Sequence, residues 1–226
     1  MGLVHSPRIV TDSLVLCLDA ANSRSYPGTG ATWTDRSTNG NNGTLVNSPS
    51  FSAENGGRIV FDGTDDYMDD ITIPNTTNQL TVEFALNYND GGYFNIFEAS
   101  RNVRPMIFVD AAERLECSYS TAAGGFVSPG NYIDQDIIVT VLFDGTATPG
   151  ISLYVNGSLV GTKDTQHVTW SDGLDFTFFN RNTSGTRSLF YKGEVYSIKF
   201  YSRILTAEEI RQNYKAIAGR LSLIHI

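Results

Sequence analysis

Apolar and polar positions alternate with a period of two over most of this chain, the spacing of strands that bury one face. In the run 80–88, Leu80, Val82, Phe84 and Leu86 fall on one side. Further strands are predicted over 58–62, 67–73, 93–99, 106–110, 115–120, 137–144, 174–179 and 188–191, at short and regular intervals. The run 13–20 is apolar enough to be buried on both faces, and the β-branched run 137–144 reads as a central strand. Pro74 stops 67–73, which reads as an edge strand. Residues 151–162 form a predicted hairpin around Asn156 and Gly157, because a type I′ turn needs positive φ at both central positions. Residues 22–44 read as one long polar loop.

The period changes once. After a last strand over 193–201, Thr206 stands three residues before Glu209, a capping box that satisfies two free helix donors. Ile210, Tyr214 and Ile217 then recur at helical spacing, so one face of this helix packs inward. About a dozen short strands closed by one short C-terminal helix predict an all-β, antiparallel two-sheet sandwich. No repeat and no charged or Pro-rich linker divides the chain, so residues 1–220 read as one domain. Residues 221–226 are apolar and fit no strand pattern. They read as a non-native or disordered tail, the alternative being an extra edge segment.

Composition narrows the function. The chain has 226 residues, 41% of them hydrophobic, which supplies a core, and a net charge of −8. That charge, with no cluster of Lys or Arg, excludes nonspecific nucleic-acid binding. It suits a cation, a neutral ligand such as a glycan, or solubility alone. Cys17 and Cys117 lie in separate strand-like runs and read as buried free thiols. His5, His167 and His225 form no ligand set. The N-terminus lacks the apolar core of a signal peptide, and no window is long enough to span a bilayer. Four N-x-S/T sequons, beginning at Asn42, Asn75, Asn156 and Asn182, then mark a polar surface.

The polar positions suggest two sites. Asp35, Ser37, Asn39 and Asn41 place oxygen side chains at alternate positions around Gly40, the front half of a Ca2+ loop. The terminal bidentate Glu is missing, so Asp66 or another carboxylate would have to come from elsewhere; the alternative is that these side chains cap their own turns. The group Asp62, Asp65, Asp66, Asp69 and Asp70 reads as a solvated loop end, a metal site or an acid–base pair. Sugar binding needs exposed ring faces flanked by amides and charged groups. Trp170, Tyr132, Asn180 and Arg181 are the candidates, with Tyr93 and Phe126 behind them, while Trp33 reads as core. No E-x-D-x-x-E pair and no G-x-S-x-G turn is present, and the chain reads as not an enzyme.

Several of these segments resemble one family. Residues 14–19, the loop from Trp33 to Leu45 (pattern W-x-D-x-S-G-N-G-N-x-G-x-L, with Thr38 where Gly is usual), the strand end Phe61-Asp-Gly-Thr-Asp-Asp-Tyr67, the hairpin 153–157 and the closing strand–helix pair are similar to laminin-G-like, concanavalin A-like lectin/glucanase jelly-roll domains. The stretch from Asp19 to Gly30 also resembles virion-associated proteins of marine bacteriophages. The resemblance implies a jelly roll that acts as a noncatalytic module for a glycan or cell-surface polysaccharide. It would be made in the host cytoplasm and displayed on a capsid or tail fibre, without membrane insertion. Two alternatives are a structural decoration contacting other virion proteins and a sandwich-fold glycoside hydrolase.

Overall fold

The computed structural model describes residues 7–73, 78–89, 92–99, 105–119, 124–164 and 174–221. In chain order the strands are β1 (Leu14–Asp19), β2 (Thr32–Trp33), β3 (Gly43–Val46), β4 (Ser50–Ser52), β5 (Arg58–Asp62), β6 (Tyr67–Ile73), β7 (Gln79–Tyr88), β8 (Phe94–Ala99) and β9 (Met106–Val109). They continue as β10 (Arg114–Ser118), β11 (Phe126–Asn131), β12 (Ile137–Asp144), β13 (Ile151–Val155), β14 (Ser158–Lys163), β15 (Leu174–Phe178), β16 (Arg181–Thr183), β17 (Thr186–Ser188) and β18 (Lys192–Tyr201), followed by α1 (Ala207–Ile217).

Two antiparallel sheets form a sandwich with one short C-terminal helix, the arrangement of a concanavalin A-like jelly roll. The first sheet runs β14-β13-β12-β7-β18-β5-β4. Its long strand β18 is shared, pairing with β5 at Lys192 to Val195 and with β1 at Ser197 to Tyr201. The second sheet runs β11-β10-β9-β8-β15-β6-β3-β2. Here β6 lies between β15 and β3, so the edge position expected from Pro74 is corrected. A proline after a strand bears on the strand's length and says nothing about its lateral neighbours.

Between the sheets Phe84, Phe97, Phe176, Phe178 and Phe200 are fully buried. The Phe97 and Phe176 rings stack at 5.2 Å, and Phe200 meets Phe176 edge-on at 5.3 Å. Such pairs contribute about 0.5–1.5 kcal/mol each beyond area burial. Trp33 is also fully buried, and both cysteines are buried and free.

Helix α1 covers the outer face of the first sheet. Ile210 packs with Val10, Leu142, Tyr201 and Leu205; Ile217 packs with Ala85, Ile138 and Tyr196. Leu221, assigned from sequence to the tail, is buried in that second cluster; residues 222–226 lie outside the described residues. Under the helix, Lys199 donates to Glu83 at 2.8 Å and the Asn213 amide donates to the Tyr201 hydroxyl at 2.9 Å. No helix of the described residues is long and apolar enough to cross a membrane. The second sheet has no such helical cover among the described residues.

Candidate functional site

The outer face of the second sheet is built from residues opposite the core positions. Ile107 and Val109 point into the core, so Met106 and Phe108 point outward. On the neighbouring strand the register shifts between Asn95 and Phe97. This bulge re-phases β8, so Asn95 and Glu98, three residues apart, both point outward. They are hydrogen-bonded to each other at 3.3 Å and nearly fully buried. Cross-strand partners place Glu98 opposite Met106 and Thr177, and Phe108 opposite Asn95 and Glu116.

Arg181 begins β16 and donates through Nε to Glu98 at 3.2 Å. Its side chain stays about a quarter exposed. Tyr93 precedes β8, and its ring lies 5.0 Å from that of Phe108 while 40% of the residue remains exposed. Partial burial raises the Tyr93 phenol above its usual pKa, and the nearby Arg181 charge works against that rise. The result is an aromatic ring braced from behind, with a guanidinium and carboxylates beside it. A ring of that kind can stack on an apolar ligand face while charged neighbours accept or donate hydrogen bonds.

The other predicted sugar residues are placed differently. Asn180 is fully buried. Its amide donates to the Phe178 carbonyl at 2.9 Å and accepts from Arg187 at 3.1 Å, while its carbonyl accepts from Asn95 at 2.8 Å. It therefore positions the β16–β17 hairpin, and Arg187 adds a cation–π contact to Tyr67 at 4.4 Å. Tyr132 packs half-buried against the inter-sheet core, its N–H donating to the Tyr88 hydroxyl at 2.9 Å. Phe126 lies over Gly161. Trp170 lies outside the described residues.

The Asp35 loop is tied to β1. Oδ1 of Asp35 accepts the N–H groups of Cys17 and Ser37, each at 2.8 Å. Oδ2 accepts the Ser37 hydroxyl at 2.6 Å and the Asn41 N–H at 2.9 Å. The Asn39 and Asn41 amides donate to the Leu14 and Val15 carbonyls. Each carboxylate oxygen thus already holds two donors, and an entering cation would have to displace them. Asp62, Asp65 and Asp66 bring ligand oxygens within 4.8 Å of one another, a set that could hold a cation, although Asp62 Oδ1 also accepts the Thr64 and Asp65 N–H groups. There Asp66 joins Asp62 rather than Asp35: its Oδ2 accepts the Asp62 N–H at 3.2 Å. The Thr64 N–H holds the Asp62 carboxyl below its usual pKa, whereas burial raises Asp66.

Comparisons with known proteins place the fold. Trypanosoma rangeli sialidase, solved with sialic acid, superimposes with a TM-score of 0.64 at 14% identity, covering 94% of this chain. This chain spans only 36% of that sialidase. Domain 4 of the Geobacillus stearothermophilus arabinanase AbnA, solved with arabinotriose, has a TM-score of 0.66 at 14% identity, covering 91% of this chain and 100% of that domain. The receptor binding domain of botulinum neurotoxin C/D mosaic serotype has a TM-score of 0.65 at 14% identity, covering 91% of this chain and 52% of that one. No curated protein sequence matches significantly.

These neighbours correct the expectation that the chain is not an enzyme. Several of the similar structures are of a sialidase, so the sandwich does not separate binding modules from chains that belong to enzymes. At such identity they show the fold alone, and no catalytic role is established. The sequence profile of one family matches residues 62–211, well over half of the chain. This protein therefore belongs to the concanavalin A-like lectin/glucanases superfamily.

Proposed function

We propose that this chain is a carbohydrate-binding module whose stacking platform is the exposed Tyr93 ring, which lies over the buried outward residues of the second sheet. One observation carries the reading: the Tyr93 ring is braced on Phe108 at 5.0 Å, 40% exposed, and flanked by Arg181 and Glu98. A ring fixed from behind loses little conformational freedom on binding a sugar face, and the flanking charges serve the hydroxyls. Support comes from neighbours of the same fold, one solved with arabinotriose and another with sialic acid. Within this proposal a Ca2+ ion would be held by Asp62, Asp65 and Asp66. Display on a phage capsid or tail fibre rests on the resemblance of the segment from Asp19 to Gly30 alone.

A glycan array probed with the full chain, with Ca2+ and with chelator, tests it. The expected result is binding that falls at least tenfold in Tyr93→Ala, about 1.4 kcal/mol, and survives in Tyr93→Phe. Unchanged binding by folded Tyr93→Ala would overturn the site. Absence of any binding by the folded parent would overturn the function. Loss with chelator, reproduced by Asp65→Asn, would support the cation.

A further inference from the structure

We infer a second ligand site at the open edge of the sandwich, shaped for one or two uncharged sugar rings. It takes its ligand class from the carbohydrate proposal, but none of its residues. Strand β4 closes one end of the first sheet, and β3 and β2 close one end of the second. Where they meet lies a cleft of about 330 Å3, lined by Tyr26, Gly28, Leu45, Ser48, Pro49 and Phe51 together with the Thr29–Ala31 rim. Small-molecule sites begin near this size, at roughly 300 Å3.

The cleft has the parts a neutral sugar needs. Its inner wall is aromatic: the Tyr26 ring, only 4% exposed, backs the half-buried Phe51 ring at 5.5 Å, tilted by 51°. The Tyr26 hydroxyl donates to the Gly30 carbonyl at 2.8 Å, which pins the loop across the ring. Gly28 sits at φ +93°, and a Cβ there would lie 3.4 Å from the Phe51 ring, so glycine keeps that side clear. On the exposed rim the Thr29 and Ser48 side chains line the opening and are exposed. No charged side chain lines the cleft. A sugar carboxylate or ammonium would lose water there without a counter-charge, whereas an uncharged ring offers a C–H face to Phe51 and hydroxyls to Thr29 and Ser48. The Tyr93 face, with Arg181, Glu98 and Glu116 around it, is charged, so the two sites differ in the ligands they admit.

The test follows backbone amides of the isotopically labelled full chain by NMR. The probes are three neutral trisaccharides (arabinotriose, maltotriose and triacetylchitotriose) and the charged 3′-sialyllactose. At least one neutral probe is expected to shift Gly28, Gly30 and Ala31 in the parent and equally in Tyr93→Ala. The shifts should weaken at least tenfold in Ala31→Trp, which fills the rim, with Thr29→Trp as a second filling variant should the first melt early. Sialyllactose should leave these amides in place. The inference is overturned if all three neutral probes leave Gly28 to Ala31 unmoved, or if both filling variants respond like the parent. Response at Gly28 to Ala31 with none at Tyr93 would instead remove the Tyr93 proposal and keep this one.

Discussion

Lys199 lies on the face of β18 that α1 covers, and its side chain is only 3% exposed. It meets Glu83, itself fully buried, at 2.8 Å, and Glu83 also accepts from Asn213 at 3.2 Å and Thr140 at 3.4 Å. Removing one partner of such a pair leaves a buried charge, at a cost of about 3–5 kcal/mol, while replacing both can be nearly neutral. Lys199→Met alone should therefore lower the unfolding free energy by several kcal/mol, as measured in urea. Lys199→Met with Glu83→Leu should recover most of the loss; equal destabilisation by single and double variants would refute the pairing. Alternation identifies Lys199 and Glu83 as outward from the core, but period alone cannot tell an outward face in water from one under a helix. The same limit hid Asn180, a polar residue in a loop whose amide is spent on holding that loop.

At the scale of elements, local chemistry was readable where a few adjacent residues decide the outcome. The capping box forms as predicted: the Thr206 hydroxyl accepts the Glu209 N–H at 3.3 Å, and the Glu209 carboxylate accepts the Thr206 N–H at 2.8 Å. Arg203, which sequence reasoning left out, adds two bonds to that carboxylate at 2.6 and 2.8 Å. Chiefly through Arg203, the Glu209 pKa falls from 4.5 to about 2. A depressed pKa stabilises the fold above the unfolded value and loses that contribution as pH falls through the folded one. Unfolding free energy should thus decline between pH 4.5 and 2. Glu209→Gln should remove that part of the slope and cost about 1–2 kcal/mol at neutral pH, allowing for solvent screening. A pH profile identical to the parent's would refute the assignment. The hairpin tip was equally local: Asn156 and Gly157 have φ of 51° and 74°. By contrast β2, β3, β4, β11, β16 and β17 were not marked as strands, β2 and the start of β3 falling within the predicted long loop 22–44. Apart from β11 they are two to four residues long, and β11 carries Pro129, tolerated because β11 is the last strand of its sheet.

Over the whole molecule, the distribution of cover matters most. One sheet has its outer face closed by α1 and the segment at Val10; the other keeps Tyr93 and Arg181 at the surface. A chain ending at residue 205 should expose Ala85, Ile138 and Tyr196 and wet the Lys199–Glu83 pair. It should lose cooperative unfolding and bind a hydrophobic dye, as read by thermal melting and fluorescence. Retention of a sharp parental transition would show that the helix is decoration.

The sequence by itself determined the fold class, most strand positions, the closing helix with its cap and the hairpin turn. Each depends on residues within a few positions of one another, so periodicity and turn chemistry carry them. Only the tertiary structure decided that Asp35 is saturated by β1 and its own loop, and that Asp66 joins Asp62 and Asp65. It also decided that a bulge turns Asn95 and Glu98 to the same face, and that Tyr93, ranked behind Trp170, is braced on Phe108. Those facts depend on register and on which strands become neighbours, and pairing between distant segments leaves no periodic trace in the chain.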